Sequence, residues 1–406
     1  MSTVHPSQDP AAGLSVDTSR GVTAAAGFRA GGVTAGFKAS GGDDLAIVIN
    51  DGPSAAAAAV FTSNRVAAAP VHWSRQVVAD GAARAVILNS GGANACTGPQ
   101  GFQASHETAE LVAEGLQVGA GDVVVCSTGL IGVQLPMGVM RAGIPEVLAD
   151  SAADEAAGLR AARAIMTTDT VPKQAAHTSP EGWSVGGMAK GAGMLAPGLA
   201  TMLVVLTTDA EVRPEVLQRS LREACAVTFD RADSDGCMST NDTVTLLASG
   251  ASGISPDELE LTRALSAVCH SLAQQLITDA EGAAHDIAIT TMGAASVVQA
   301  ETVSRTVARS NLFKTAIFGN DPNWGRVLSA VGTTDAEFDP DELDVSINGV
   351  MVCRGGMIGD PREGVDLASS RKVEVVVDLK AGAHEATIWT NDLTHDYVEE
   401  NSAYSS

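Results

Sequence analysis

The chain has 406 residues, enough for one large domain or two ordinary ones, and 45% of them are hydrophobic against 18% charged. This balance excludes intrinsic disorder, because the chain has enough apolar surface to form a core. The 25 Lys and Arg against 48 Asp and Glu give a net charge of −23, which repels phosphate backbones and anionic lipids, so neither nucleic acid nor a membrane is expected as a partner.

Signals for export, membrane insertion and metal binding are missing from the sequence. No apolar run approaches the roughly 18 residues that a membrane-spanning helix needs. The segment Met1–Gly13 has no basic stretch followed by an apolar one, which is the pattern of a signal peptide. The six cysteines are scattered without a C-x-x-C pair. We therefore expect a cytoplasmic protein with free thiols and no metal site.

Short apolar runs bounded by Gly, Asn and Asp predict strands along the whole chain. In chain order these are Leu45–Ile49, Ala58–Phe61, Ala85–Leu88, Val123–Cys126, Met202–Leu206, Val244–Leu247, Ile287–Thr290, Leu343–Ile347, Val373–Leu379 and Ala386–Trp389. Apolar residues at a spacing of three to four predict the helices His106–Leu116, Ala152–Met166, Pro214–Thr228, Pro256–Ile277 and Glu301–Ala308. Strands often follow one another through short turns, which favours an α+β fold of layered mixed or antiparallel sheets with flanking helices.

The glycine-rich segment Gly186–Leu203 allows three interpretations. It contains G-x-G-x-x-A, a dinucleotide-loop pattern, but Pro197 follows where a helix should begin and no clear strand precedes it. It also reads as a plain loop leading into a strand, although a loop leaves Lys190 without a reason to lie among small apolar residues. The third interpretation is self-processing, in which the Thr201 hydroxyl attacks the preceding carbonyl and hydrolysis leaves Thr201 as a new N-terminus. Its α-amine is then a base for its own hydroxyl.

A resemblance favours the third interpretation. The segment Lys190–Leu203 resembles the processing site of the ornithine acetyltransferase family, also called glutamate N-acetyltransferase. The other family-like motifs follow in the family's order: Asn89–Gly98, Cys126–Gly132, Met166–Asp169, Ser239–Thr243, Asp279–Gly282, Gly319–Arg326 and Glu400–Ser406. The resemblance covers the chain from about residue 20 to its last residue.

The resemblance implies cleavage between Ala200 and Thr201, giving an α chain of residues 1–200 and a β chain of residues 201–406 that associate as α2β2. Thr201 would accept acetyl from N-acetylornithine and pass it to glutamate in a ping-pong reaction without a cofactor. Acetyl-CoA as a second donor, used by some members, stays open. By the same resemblance, the oxyanion hole consists of the Thr128 hydroxyl and the Gly129 N–H.

Six residues are implied as substrate contacts: Thr167, Lys190, Thr201, Glu281, Asn401 and Ser406. Both substrates carry an α-carboxylate, and Lys190 is one of only six lysines in this acidic chain, so it fits as the cationic partner. Glu281 would hold a substrate ammonium group. Asn94 is a further candidate for support of the oxyanion region, and the loop Ser239–Asp242 is explained equally well as a turn that opens a strand.

Two other functions are also compatible with these residues. An N-terminal-threonine hydrolase or aminopeptidase of similar fold would form the same acyl-enzyme and release it to water. A small-molecule binding protein would use the glycine-rich loops without any cleavage. Dependence of turnover on glutamate separates the transferase from the hydrolase, and an uncleaved, inactive chain would favour the binding protein.

Overall fold

Three sheets contain the strands of the computed structural model, within the described residues 13–196 and 202–403. The strands are β1 (Phe28–Val33), β2 (Leu45–Asn50), β3 (Ala56–Phe61), β4 (Ala85–Asn89), β5 (Val123–Ser127), β6 (Lys173–Thr178), β7 (Ser184–Lys190), β8 (Leu203–Thr208), β9 (Thr243–Ala248), β10 (Asp286–Ala294), β11 (Asp344–Ile347), β12 (Val350–Arg354), β13 (Met357–Ile358), β14 (Lys372–Asp378) and β15 (His384–Asn391). Their mixed pairing confirms the predicted α+β class.

The helices flank these sheets. They are α1 (Ala69–Val77), α2 (Gly98–Leu116), α3 (Met137–Asp150), α4 (Glu155–Ala164), α5 (Pro214–Val227), α6 (Glu258–Thr278), α7 (Val297–Ala308), α8 (Asn311–Phe318), α9 (Trp324–Val331) and α10 (His395–Ala403). Within the described part of the chain, no helix has the length and apolarity needed to cross a bilayer.

The chain divides into two compact units. Among the described residues, unit 1 comprises 13–192, 202–230 and 238–276, and unit 2 comprises 193–196, 231–237 and 277–403. These units do not follow the halves 1–200 and 201–406 that cleavage would produce. Strands β8 and β9 of the second half instead lie within a unit 1 sheet whose other strands come from the first half. The division into α and β chains itself stays a prediction.

Unit 1 packs two sheets against each other. One has the order β1-β2-β4-β5, and the other has the order β3-β9-β8-β7-β6. Alternate residues of β2 face opposite sides, as the twofold repeat of a strand requires. Ala46 and Val48 pack in the core between the two sheets, whereas Ile47 and Ile49 pack against α2 and α3. Each side of the four-stranded sheet is therefore buried.

Unit 2 is built on the mixed sheet β13-β12-β11-β14-β10-β15, in which β10 is parallel to β14 and antiparallel to β15. One face of this sheet carries a core with α7, α8 and α9. The alternation is clear in β14, where Val373, Val375 and Val377 are buried and Glu374 is exposed. This alternation of apolar and polar residues is the pattern by which the sequence predicts the strand.

All predicted strands and helices overlap observed elements, but several observed elements are absent from the prediction. The important omission is β7, because the prediction that no strand precedes Gly191 is wrong. β7 contains Gly186 and Gly187, which lower strand propensity, yet Val185 and Met188 are fully buried. Tertiary packing and pairing with β6 and β8 thus outweigh local propensity. The dinucleotide interpretation still fails, because the next described element is β8 rather than a helix.

The core between the sheets of unit 1 predicts a large effect for Leu88→Ala. Leu88 is fully buried in this core, and removal of its side-chain carbons leaves a cavity. We expect a loss of about 2–5 kcal/mol in the free energy of unfolding, measured by chemical denaturation. Leu259→Ala is the matched control, since Leu259 is 70% exposed and should change stability by less than about 0.5 kcal/mol. Equal effects of both substitutions would contradict this core.

Candidate active site

The turn after β5 holds Thr128 and Gly129, the two residues predicted for the oxyanion hole. β5 runs parallel to β4 with Ser127 opposite Asn89, so the carboxyl ends of both strands lie side by side. The Thr128 N–H donates to the Asn89 carbonyl oxygen at 3.0 Å, and the Gly92 N–H donates to the Thr128 carbonyl oxygen at 2.9 Å. Hydrogen bonds on both sides thus fix the turn, as a preorganised site for oxyanion donors requires.

Glycine is required at position 129 by the local backbone. Its φ is +132°, a region that other residues rarely adopt. A Cβ atom there would lie 2.7 Å from the backbone nitrogen of Gly92. Any side chain at this position would therefore displace the neighbouring turn.

Lys190 is the last residue of β7 and is only 1% exposed. Its Nζ donates to the hydroxyl oxygen of Thr128 at 3.4 Å. In the sheet, Lys190 is paired with Leu203 of β8, two residues after Thr201. The strand therefore brings the predicted cation, the predicted oxyanion donor and the beginning of β8 to one place within unit 1.

Asp169 supplies the negative charge near Lys190, and the sequence predicts no role for it. Its Oδ1 accepts from Lys173 Nζ at 2.6 Å and from the Gly191 N–H at 2.6 Å. Burial by itself would raise the pKa of Asp169, but the charges of Lys190 and Lys173 and these hydrogen bonds outweigh it and lower the pKa to about 2. Asp169 is ionised at neutral pH, and its charge compensates the buried ammonium groups.

Thr167 lies next to this carboxylate, in the turn that follows α4. Its N–H donates to the other oxygen of Asp169 at 2.9 Å, and the residue is half-buried. The turn that carries Thr167 is thereby tied to the group around Lys190. A signal for Asp169 was present in the sequence, since it ends the family-like motif Met166–Asp169 and precedes Lys173 by four residues.

The loop Ser239–Asp242 connects two parts of this region. The Asn241 side-chain nitrogen donates to the carbonyl oxygens of Ala93 at 2.5 Å and Ser127 at 2.8 Å. The neighbouring Asp242 is fully buried, and its Oδ1 accepts from the Met202 N–H at 3.0 Å. One loop therefore holds both the strand end that presents Thr128 and the residue that follows Thr201.

The side chain of Asn94 bonds to the beginning of α2 rather than to Thr128 or Gly129. Its side-chain nitrogen donates to the Gly101 carbonyl oxygen at 2.8 Å and to the Ser105 hydroxyl at 3.1 Å. Its side-chain oxygen accepts from the Thr97 hydroxyl at 2.7 Å. The Asn94 amide thus organises the beginning of α2. Among the other predicted residues, Ala200, Thr201 and Ser406 lie outside the described residues.

Unit 2 brings Glu281 and Asn401 together. Asn401 lies in α10, and its side-chain nitrogen donates to Glu281 Oε2 at 2.9 Å and to the Tyr397 carbonyl oxygen at 3.0 Å. Glu281 packs against the backbone of Gly193, where an added Cβ would lie 2.5 Å from the carboxylate. The second glycine of the Lys190-Gly-x-Gly pattern is therefore explained by the close approach of this carboxylate.

A cavity of about 440 Å³ in unit 2 includes Glu281 in its lining. Its charged residues carry both signs: Asp235, Glu281, Arg309, Lys314 and Asp392. Burial raises the pKa of Asp235, as does the charge of Glu281, whereas two backbone N–H groups and Lys314 oppose that rise. Burial likewise lowers the pKa of Lys314, against three surrounding aspartates that raise it. A cavity with both charge signs suits a ligand that carries both an ammonium and a carboxylate group.

The lowered pKa of Asp169 predicts an acid-dependent stability contribution. Because its folded-state pKa of about 2 lies below the unfolded value of 3.8, the contribution is present above about pH 4 and is lost as pH falls towards 2. We expect Asp169→Asn to lose at least about 2 kcal/mol in the free energy of unfolding at pH 7. Denaturation at pH 7 and at pH 3 should show a smaller difference from wild type at the lower pH. A difference that does not change with pH would contradict this assignment.

Sequence comparisons with known proteins match nearly the whole chain to one family. A sequence model described as the ArgJ family matches residues 29–406. The arginine biosynthesis bifunctional protein ArgJ of Streptomyces coelicolor is 62% identical over 385 residues, which is 95% of this chain and 100% of that protein. The protein of the same name from Thermobifida fusca is also 62% identical, with the same coverage, and that from Mycobacterium leprae is 57% identical over 393 residues.

Solved structures were also found. The ornithine acetyltransferase of Mycobacterium tuberculosis in complex with ornithine is 56% identical, covers 47% of this chain and 100% of that chain, and has a TM-score of 0.45. The ArgJ protein of Bacillus halodurans is 34% identical, covers 49% of this chain and 97% of that chain, and has a TM-score of 0.47. On the match of the family over residues 29–406 and the identity to its curated members, this chain belongs to the ArgJ family.

Proposed function

We propose that this chain is an arginine-biosynthesis enzyme that cleaves itself before Thr201 and transfers acetyl from N-acetylornithine to glutamate. The observation that carries the proposal is the contact of buried Lys190 with Thr128 at the end of β7, beside the strand that begins after Thr201. Family membership supports the same assignment. It also favours a transferase over the N-terminal-threonine hydrolase.

In the first half-reaction the Thr201 hydroxyl attacks the acetyl carbonyl of N-acetylornithine. The tetrahedral oxyanion accepts hydrogen bonds from the Thr128 hydroxyl and the Gly129 N–H, and loss of one such donor typically costs 10²–10³ in rate, about 3–4 kcal/mol. The C–N bond then breaks, and ornithine leaves after its amine takes up the proton from the hydroxyl. Acetyl-Thr201 remains as an ester.

The second half-reaction transfers the acetyl group from Thr201 to glutamate. The glutamate amine attacks the ester, the same donors stabilise the second oxyanion, and N-acetylglutamate leaves with regeneration of the Thr201 hydroxyl. All bonds that form or break lie between substrates and Thr201, so the scheme needs no cofactor. Lys190 is the proposed partner of the substrate α-carboxylate, with Thr167 as a further contact.

Unit 2 contains further residues that the resemblance implies as substrate contacts. Glu281 is the proposed acceptor for a substrate ammonium group, with Asn401 and Ser406 as additional contacts. The hydrogen bond between Asn401 and Glu281 supports this pairing of roles. The acidic and basic groups in the cavity beside Glu281 are compatible with ornithine and glutamate, whose side chains carry opposite charges.

Cleavage would leave the two halves held by the five-stranded sheet. β8 pairs with β7 along Leu203–Thr208, and β9 pairs with β3 along Thr243–Ala248. A break before residue 201 removes none of these hydrogen bonds. This arrangement supports association of the α and β chains. The α2β2 assembly implied by the resemblance and the cytoplasmic location expected from the sequence belong to the same proposal.

The proposal predicts two products from the purified wild-type chain. Denaturing mass spectrometry and N-terminal sequencing should find a fragment that begins Thr201-Met202-Leu203, in place of the single 41.2 kDa chain. Thr201→Ala should stay uncleaved and inactive, because both cleavage and transfer need the hydroxyl. Thr201→Ser is the matched control, since it keeps a hydroxyl and should still cleave. An active, cleaved Thr201→Ala enzyme would contradict the assignment.

A second prediction concerns substrate binding by Lys190. Lys190→Ala should lower kcat/KM for both N-acetylornithine and glutamate by about 10- to 100-fold, because a hydrogen bond to a charged group contributes about 1.5–3 kcal/mol. Lys372→Ala, at an exposed position of β14, is the control and should leave both values unchanged. Wild-type kinetics for Lys190→Ala would place this residue outside the substrate site.

The acceptor and donor dependence of turnover tests the remaining alternatives. Release of ornithine that requires glutamate and gives no acetate is expected of the transferase. Acetate release without glutamate would favour the hydrolase. Replacement of N-acetylornithine by acetyl-CoA in the same assay tests the second donor, an activity compatible with the word bifunctional in the names of the relatives.

A further inference from the structure

Asp242 has a buried carboxylate oxygen that forms no hydrogen bond with any described residue. The residue has no exposed surface, and its Oδ1 accepts from the Met202 N–H at 3.0 Å. Its Oδ2 has no hydrogen-bond partner among the described residues. The nearby Thr62 hydroxyl donates instead to the Ser239 carbonyl oxygen at 2.8 Å. An unsatisfied buried polar atom costs about 1–3 kcal/mol, so this oxygen needs an explanation.

The residue bonded to Met202 supplies a candidate partner. The amide nitrogen of Met202, which contacts Asp242, is bonded to the carbonyl carbon of Thr201. Standard bond lengths keep the nitrogen of any residue within about 4 Å of the next amide nitrogen, whatever the backbone conformation. Because Thr201 directly precedes Met202 in the chain, we take its nitrogen as the candidate partner of Asp242 Oδ2.

The charge state of Asp242 fits a partner that appears only after cleavage. Burial raises the pKa of Asp242 well above its usual value, and the Met202 N–H, nearby hydroxyl groups and the charge of Lys190 only partly offset this. A neutral carboxyl is thus favoured while Thr201 is still in a peptide bond. Cleavage turns the amide nitrogen into an amine, which, unlike an amide, is basic enough to exchange this proton with the carboxyl group.

We propose that Asp242 is a catalytic residue whose Oδ2 serves the nitrogen of Thr201, as proton donor during cleavage and as partner of the free α-amine during transfer. This inference rests on the proposed function. During cleavage the Thr201 oxygen bonds to the Ala200 carbonyl carbon and the C–N bond breaks. The leaving nitrogen takes the Asp242 proton, and the hydroxyl proton returns to the carboxylate. Water then hydrolyses the ester, giving the Ala200 carboxyl group and the Thr201 hydroxyl.

Asn241 fixes the position of the loop that carries Asp242. Its side chain bonds to the Ser127 and Ala93 carbonyl oxygens, so the loop that carries Asp242 is anchored to the strand end that presents Thr128. A carboxyl group placed in this way has a fixed position relative to the oxyanion donors. Fixed geometry is the condition under which a proton carrier is effective.

The test compares Asp242→Asn with Asp209→Asn in the full-length chain. An asparagine at 242 keeps an oxygen for the Met202 N–H but supplies neither the proton nor the negative charge. Asp209 is the matched control because it is also buried and follows the other end of β8, where it accepts from the Ala26 N–H at 2.9 Å and the Ser184 N–H at 2.7 Å. Mass spectrometry over time measures cleavage, and thermal melting checks folding.

We expect Asp242→Asn to cleave at least about 100-fold more slowly than wild type, a factor within the range for loss of a general acid or base. Its cleaved fraction should show a lower kcat with little change in KM for glutamate. Asp209→Asn should cleave and turn over as wild type does. Wild-type cleavage and kcat for a folded Asp242→Asn would overturn the inference while the proposed function stands. Failure of the wild-type chain itself to cleave would overturn both.

A measurement without any substitution covers the case in which Asp242→Asn does not fold. A crystal structure of the mature wild-type enzyme should place the Thr201 nitrogen within about 2.7–3.2 Å of Asp242 Oδ2. A separation beyond hydrogen-bond distance, with another group bound to that nitrogen, would overturn the inference.

Discussion

The pairing of β7 with β8 is the constraint on which the rest of the site depends. Lys190 lies opposite Leu203, so the segment that contains the proposed cleavage site begins and ends on adjacent strands. β9 holds the other side of β8, with Thr243 opposite Leu203. β8, which begins two residues after the proposed nucleophile in the chain, is thus an inner strand with hydrogen-bonded neighbours on both sides.

Buried lysines give the second constraint. The chain has six lysines and a net charge of −23, yet Lys173, Lys190 and Lys314 are each no more than 5% exposed. Burial of an ammonium group is costly without a nearby negative charge. Asp169 provides that charge for the first two of these lysines, and aspartates around the unit 2 cavity provide it for Lys314. The proposed contact of Lys190 with a substrate carboxylate gives one of these costly cations a function.

The sequence predicts most of the strands in the sheets but few of the contacts between residues of the candidate site. Strands such as β2 and β14 are rich in valine and isoleucine, so composition alone reveals them. The sequence does not predict β7, because its two glycines lower the strand propensity and pairing with β6 and β8 stabilises it instead. The contact of Asp242 with Met202 joins residues 40 positions apart, and that of Asn401 with Glu281 joins residues 120 apart. No local pattern encodes such contacts, and only the family resemblance pointed to Glu281 and Asn401.

The most direct test of the account is to locate the acetyl group during turnover. Purified enzyme is mixed with N-acetylornithine without glutamate, quenched in acid and analysed by mass spectrometry with peptide mapping. The account predicts a fragment of residues 201–406 that is one acetyl group heavier, with the modification on the side chain of Thr201 and its loss on addition of glutamate. Transfer of acetyl to glutamate by an enzyme that never carries acetyl on Thr201 would contradict it.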